Sequence, residues 1–115
     1  MTDEGWQPDL GDLFWTDFLP TKGREQACRR PALVVSSKVF PANTGLVVVC
    51  PITSHVRPFP TSVVLQSGLP VEREILTSHI RSIDMLTRRV LYAGATIGTA
   101  LTNEVRAKLA AFITI

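Results

Sequence analysis

Gly11-Asp12-Leu13-Phe14-Trp15-Thr16-Asp17-Phe18, a polar stretch over residues 19–29, then Arg30-Pro31-Ala32-Leu33-Val34-Val35-Ser36 is the passage that decides the fold. Its first part mixes aromatic and β-branched residues and predicts a strand over residues 12–18. The middle is rich in polar and turn residues and predicts a loop. The last part is aliphatic and predicts a second strand over residues 32–36. The passage therefore predicts a strand, a long loop and a second strand.

Prolines at 31, 41, 51, 58, 60 and 70 punctuate the chain from the second strand onward. The segments between them are short and β-rich, with strands predicted over residues 46–52 and 62–65. A spacing of about ten residues suits a small barrel or a strongly curved sheet. Pro41-Ala42-Asn43-Thr44-Gly45 reads as a connection, with Asn43 and Gly45 available for positive φ. After Pro70 there is no further proline, so longer elements become possible. A fifth strand is expected over residues 74–81, a turn or helical piece over 82–86, and a sixth strand over 90–94. The chain should end in a helix, with Thr102 as N-cap and Glu104 in the first turn. Val105, Leu109, Phe112 and Ile113 would form its core-facing stripe, with Arg106 and Lys108 off it.

The 115 residues allow one domain. The composition, 45% hydrophobic and 19% charged, is that of a folded chain rather than a disordered one. Twelve Lys and Arg against ten Asp and Glu give a net charge of only +2. The distribution is more telling. Asp3, Glu4, Asp9, Asp12 and Asp17 precede residue 21 with no base among them, so the remainder carries an excess of seven positive charges. Arg supplies most of that excess, and its planar fork suits phosphate. The start is acidic and lacks the apolar run of a signal peptide. The apolar run over residues 46–52 is too short to span a bilayer. Cys28 and Cys50 are too few for a disulfide framework and fit no zinc spacing, which points to a reduced, cytoplasmic protein. Cys50, inside an apolar run, reads as core filler.

His55 and His79 have no partner at metal-ligand spacing, and neither a glycine-rich phosphate loop nor a G-x-S-x-G elbow occurs. Chemistry therefore falls to Arg, Ser/Thr, His or Glu. Three segments stand out. They are Gly11-Asp12-Leu13 through Pro20-Thr21-Lys22-Gly23-Arg24-Glu25-Gln26 to Arg29-Arg30-Pro31, then Pro51-Ile52-Thr53-Ser54, then Ile80-Arg81-Ser82-Ile83-Asp84-Met85. In these segments, their order and their distances, the chain resembles the MazF/PemK/Kid family of toxin endoribonucleases, over roughly residues 10–113.

The resemblance implies an α+β, mainly β fold. This is a small SH3-like barrel of curved antiparallel strands with a C-terminal helix, over residues 11–115, after an acidic leader at 1–10. It implies a homodimer that cuts single-stranded RNA at short sequences without metal or other cofactor. It also implies a cognate antitoxin whose acidic, flexible tail lies over the RNA groove. Such cleavage uses the 2′-OH to attack the adjacent phosphorus, and negative charge gathers on the phosphate oxygens. A fixed guanidinium stabilises that charge.

By family position Arg30 is the key arginine, and Pro31 restricts its backbone to extended values. Thr53 matches a catalytic position, with Ser54 beside it. Glu25 is the third catalytic candidate, as base, as orienter of Arg30, or as an anchor of its own loop. Lys22, Gly23, Arg29, Ser54, His55, Phe59, His79 and Arg81 are the expected RNA-binding residues. His79 stands where relatives often have Gln and is either a base, an RNA contact or a structural side chain. Arg81 and Asp84 alternatively form a structural pair with some dimer-interface role. Phe59, Trp15 and Phe14 are candidates for base stacking, with barrel core the default for Trp15 and Phe14. The acid and base of the Kid-like branch are missing, because Leu76 and Ser78 occupy their positions. Two other readings share the fold: a gyrase-binding toxin of the CcdB type and an inactive RNA-binding barrel. Neither requires Arg30-Pro31 together with Thr53-Ser54.

Overall fold

The computed structural model describes residues 5–17, 29–54 and 60–113. Its strands are β1 (Asp12–Asp17), β2 (Arg29–Val34), β3 (Leu46–Thr53), β4 (Ser62–Val64), β5 (Glu74–Leu76), β6 (Arg81–Asp84) and β7 (Val90–Thr96). The helices are α1 (Val39–Thr44) and α2 (Thr99–Phe112), and Thr77–His79 form a 3-10 turn. All pairings are antiparallel, in the order β4-β5-β3-β2-β1-β7, and β6 joins the first half of β3. The expected mainly β architecture with a C-terminal helix is therefore observed. Its sheet is curved and not closed among the described residues.

Curvature follows from burying both faces of the same strands. Leu13, Leu33, Cys50 and Ile52 point into one cluster, which α2 covers through Val105. Phe14, Ala32, Val34, Val47 and Val49 point the other way, into a second cluster with Ile83 and Val90. Consecutive residues of β1 and β2 are thus buried alternately on opposite faces, which is why both strands read as apolar runs. Each fully buried Leu, Val or Phe contributes about 1.5–3 kcal/mol.

Several local expectations are corrected. Residues 6–10 hold to the sheet. The Trp6 ring stacks on Tyr92 at 5.3 Å and meets Phe14 at 5.6 Å, and its Nε1–H donates to Asp12 Oδ2 at 3.0 Å. Asp9 is no solvated leader residue, since its Oδ1 accepts the N–H groups of Leu10 and Lys38. The proline-containing connection after β2 is a six-residue helix, α1. It ends at Gly45 (φ 77°), whose N–H donates to the Pro41 carbonyl at 2.8 Å. Asn43 does not take a positive φ.

The strand expected over residues 74–81 breaks at Thr77. That side chain is fully buried and its hydroxyl donates to the Thr61 carbonyl, which turns the chain out of line. The turn expected at 82–86 is instead β6, and the turn starts at Asp84, whose Oδ1 accepts the Leu86 N–H at 2.9 Å. Helix α2 starts earlier than expected, with Gly98 as N-cap. Thr102 lies inside it, bonded back to the Gly98 carbonyl by both its N–H and its hydroxyl. No acid occupies the first turn. Val105 is buried as expected, with Leu101 and Leu109 packed beside it, but Phe112 is 42% exposed and Ile113 caps the helix. The stripe therefore runs through Leu101, Val105 and Leu109 at four-residue spacing, and the earlier start of the helix is what admits Leu101.

Candidate nucleic-acid interface

The site is built on sheet register. In β1 and β2, Thr16 lies opposite Arg30 and Asp17 opposite Arg29. In β2 and β3 the last paired residues are Ala32 and Pro51. Arg30 and Thr53 lie two residues beyond that last pair on their strands, and by alternation both take the face of Ala32 and Pro51. On its other side Thr53 is directly opposite Glu74 of β5. Thr16 with Arg30, and Thr53 with Glu74, are thus two cross-strand pairs on one face, because cross-strand neighbours share a face. Arg30 is exposed, Thr53 half-buried, and Thr16 and Glu74 only 1% and 3% exposed. Pro31 lies opposite Trp15 and is half-buried, so it holds the backbone extended behind Arg30.

Alternation along β2 sends Arg29 to the opposite face from Arg30. There Arg29, Trp15, Arg89 and Leu91 line an open cavity of about 420 Å³. Trp15 packs partly against the first core cluster while also lining this cavity. Phe14 is wholly buried and is a core residue only. The adjacent arginines divide their work, since Arg88 donates from an Nη to the Asp17 carbonyl at 2.8 Å and ties down the end of β1, whereas Arg89 faces the cavity.

Ser54 is exposed where β3 ends, and His79 is exposed at the end of the 3-10 turn. Arg81 lies opposite Val49 and shares its face, about 13 Å along β3 from Thr53 at 3.3 Å per residue. Asp84 stands three residues on and so projects from the other face of β6. Its carboxylate serves the turn after the strand. Lys22, Gly23, Glu25, His55 and Phe59 lie outside the described residues. Sequence patterning does not single out Thr16, Glu74 or Arg89's cavity. The available signal for Glu74 is an acid at the head of an otherwise apolar strand.

Cys50 behaves as expected. It is buried without a disulfide partner, and burial pushes its thiol up to about 12. Among the described residues no three His, Cys, Asp or Glu side chains gather into a group that could hold a metal ion. None of the helices among these residues is long and apolar enough to cross a membrane.

Residues 9–113 match the family model described as PemK-like, MazF-like toxin of type II toxin-antitoxin system. The chain belongs to that family. The endoribonuclease toxin MazF of Escherichia coli K12 is 37% identical over 102 residues, 89% of this chain and 90% of that protein. MazF of Deinococcus radiodurans superposes with a TM-score of 0.81 at 40% identity, covering 92% of this chain and 96% of its own. A MazE–MazF complex from the same organism gives 0.82 at 38% identity, over 92% and 95% of the two chains. This MazF-like chain therefore carries its family's fold from the first strand to the C-terminal helix. Arg30, Thr53 and Glu74 all lie inside the matched region.

Proposed function

We propose that this chain, a MazF-like endoribonuclease toxin, cuts single-stranded RNA such as mRNA by attack of a 2′-OH on the neighbouring phosphorus. The O2′–P bond forms and the P–O5′ bond breaks. The products are a 2′,3′-cyclic phosphate and a 5′-OH. The proton from O2′ passes to a base, for which Glu25 and His79 are the candidates, and O5′ takes up a proton as it leaves. Arg30 neutralises the charge that builds on the non-bridging oxygens, and the Thr53 hydroxyl donates to one of them. No metal is needed for either role.

The observation that carries this reading is that Arg30 and Thr53 share one face, each two residues past the last β2–β3 pair, one exposed and one half-buried. A guanidinium and a hydroxyl supplied by neighbouring strands are pre-oriented by the sheet, so little reorganisation is required. Arg29, with Trp15 and Arg89, takes a phosphate and stacks a base on the other face. Lys22, Gly23, Ser54, His55, Phe59, His79 and Arg81 contribute further RNA contacts. The chain acts as a homodimer in the cytoplasm and is held inactive by a cognate antitoxin, whose acidic tail competes for the arginines.

The test is incubation of the purified protein with long RNA in EDTA, followed by mapping of the new ends. Fragments with 5′-OH termini at a recurring short sequence are expected. Intact RNA would sink the proposal.

A further inference from the structure

Three side-chain atoms among the described residues are buried without a hydrogen-bond partner: Thr16 Oγ1, Ser62 Oγ and Glu74 Oε1. All three belong to one face of the sheet. Thr16 lies opposite Arg30, and Glu74 opposite Thr53. Ser62 lies opposite Leu76, two residues on from Glu74 and so on the same face. An unsatisfied buried polar atom costs about 1–3 kcal/mol, and a folded chain retains one where something else uses it. The carboxylate is the costliest of the three.

The backbone supplies a second observation. Among the described residues Arg73 is the one non-glycine with a positive φ, 96°. That conformation is strained for a residue with a Cβ, and such strain collects at functional sites. Arg73 immediately precedes Glu74. Its carbonyl is held by the Leu65 N–H at 2.7 Å, and its side chain is spent at the surface near Glu72. The strained turn therefore sets where β5 begins and which residue stands opposite Thr53.

Resting on the endoribonuclease reading, we propose that Glu74 is a positioning residue for RNA cleavage. Its free carboxylate oxygen accepts from the Arg30 guanidinium, across the short Thr53 side chain, when phosphate draws that guanidinium over β3. Regular strand spacing would put the Arg30 and Glu74 backbones about 10 Å apart. An extended Arg and a Glu span that distance together. The carboxylate then fixes the rotation of the guanidinium, so that its remaining donors meet the phosphate oxygens. At 3% exposure Glu74 itself does not reach the RNA.

The experiment compares wild type, Glu74→Gln, Glu74→Asp, Arg30→Ala and the double variant Arg30→Ala/Glu74→Gln. Each is assayed for thermal unfolding, RNA affinity and single-turnover cleavage. Glu74→Gln should melt like wild type and keep RNA affinity within about twofold, yet cleave roughly tenfold or more slowly. Glu74→Asp, which withdraws the carboxylate by one methylene, should also fold and cleave more slowly. The double variant should be no slower than Arg30→Ala, because the two residues act as one unit. Wild-type cleavage by Glu74→Gln, or a further loss in the double variant, overturns the proposal. Failure of Glu74→Gln to fold, with Glu74→Asp cleaving at the wild-type rate, also overturns it and makes the carboxylate a stability element. Wild-type protein that leaves RNA intact would instead refute the endoribonuclease reading.

Discussion

Arg30 is exposed on β2, so its removal should leave the core undisturbed. Arg30→Ala is expected to slow RNA cleavage by about 10²–10³, the usual cost of one transition-state donor. The melting temperature should stay unchanged, and single-turnover assays beside thermal unfolding measure both effects. Cys50 tests burial from the other side. Its ordinary thiol value of 9.0 rises to about 12 in the fold. Above pH 9 the unfolded chain loses this proton while the native chain keeps it. The stability that goes with the neutral buried thiol is therefore present below pH 9 and lost as pH rises towards 12. Urea midpoints at pH 8 and pH 10.5 under reducing conditions should fall in wild type, and less steeply in Cys50→Ala. Cys50 was legible as core filler from its apolar run. Glu74 was not legible, because a carboxylate at the head of a strand becomes unusual only once its burial is known.

Among elements, the segment before β1 contributes more than its polar sequence suggests. Trp6 stacks on Tyr92, packs on Phe14 and donates to Asp12. Trp6→Ala should therefore cost roughly 1.5–3 kcal/mol, read as a lower denaturant midpoint. Gly11, which opens β1, has φ 95°. A Cβ there would meet Ile97 and Thr102 atoms at 3.6 Å, an ordinary contact. The cost of Gly11→Ala is therefore backbone strain of about 1–2 kcal/mol rather than a clash, and chemical denaturation measures it. The strands expected over residues 12–18, 32–36 and 46–52 were visible in the sequence from their aromatic and aliphatic residues, although β2 begins earlier than expected, at Arg29, and ends at Val34. The break at Thr77 and the early start of α2 at Thr99 were not. The first depends on a hydroxyl bond to Thr61, sixteen residues away, and the second on an extended glycine without a side-chain cap.

At the scale of the whole molecule, two of the arginines behind the excess of seven positive charges after residue 20, Arg29 and Arg30, occupy adjacent positions of β2 that face opposite ways. RNA binding should weaken with salt, and log affinity should fall linearly with log salt concentration. Arg89→Ala, on the cavity face, should reduce that slope by about 0.7, the value for one single-strand phosphate contact. Cleavage of bound RNA should change little. A salt titration with a fluorescent oligonucleotide gives the slope. The sequence by itself determined the strand-rich class, the C-terminal helix and the candidate pair Arg30 and Thr53, since these rest on short-range pattern and motif. Only the tertiary structure decided that Arg29 and Arg30 face opposite ways into different surroundings. It also brought Glu74 beside Thr53. Both depend on strand register between segments far apart in the chain, and a shift of one residue in that register would turn every side chain to the other face.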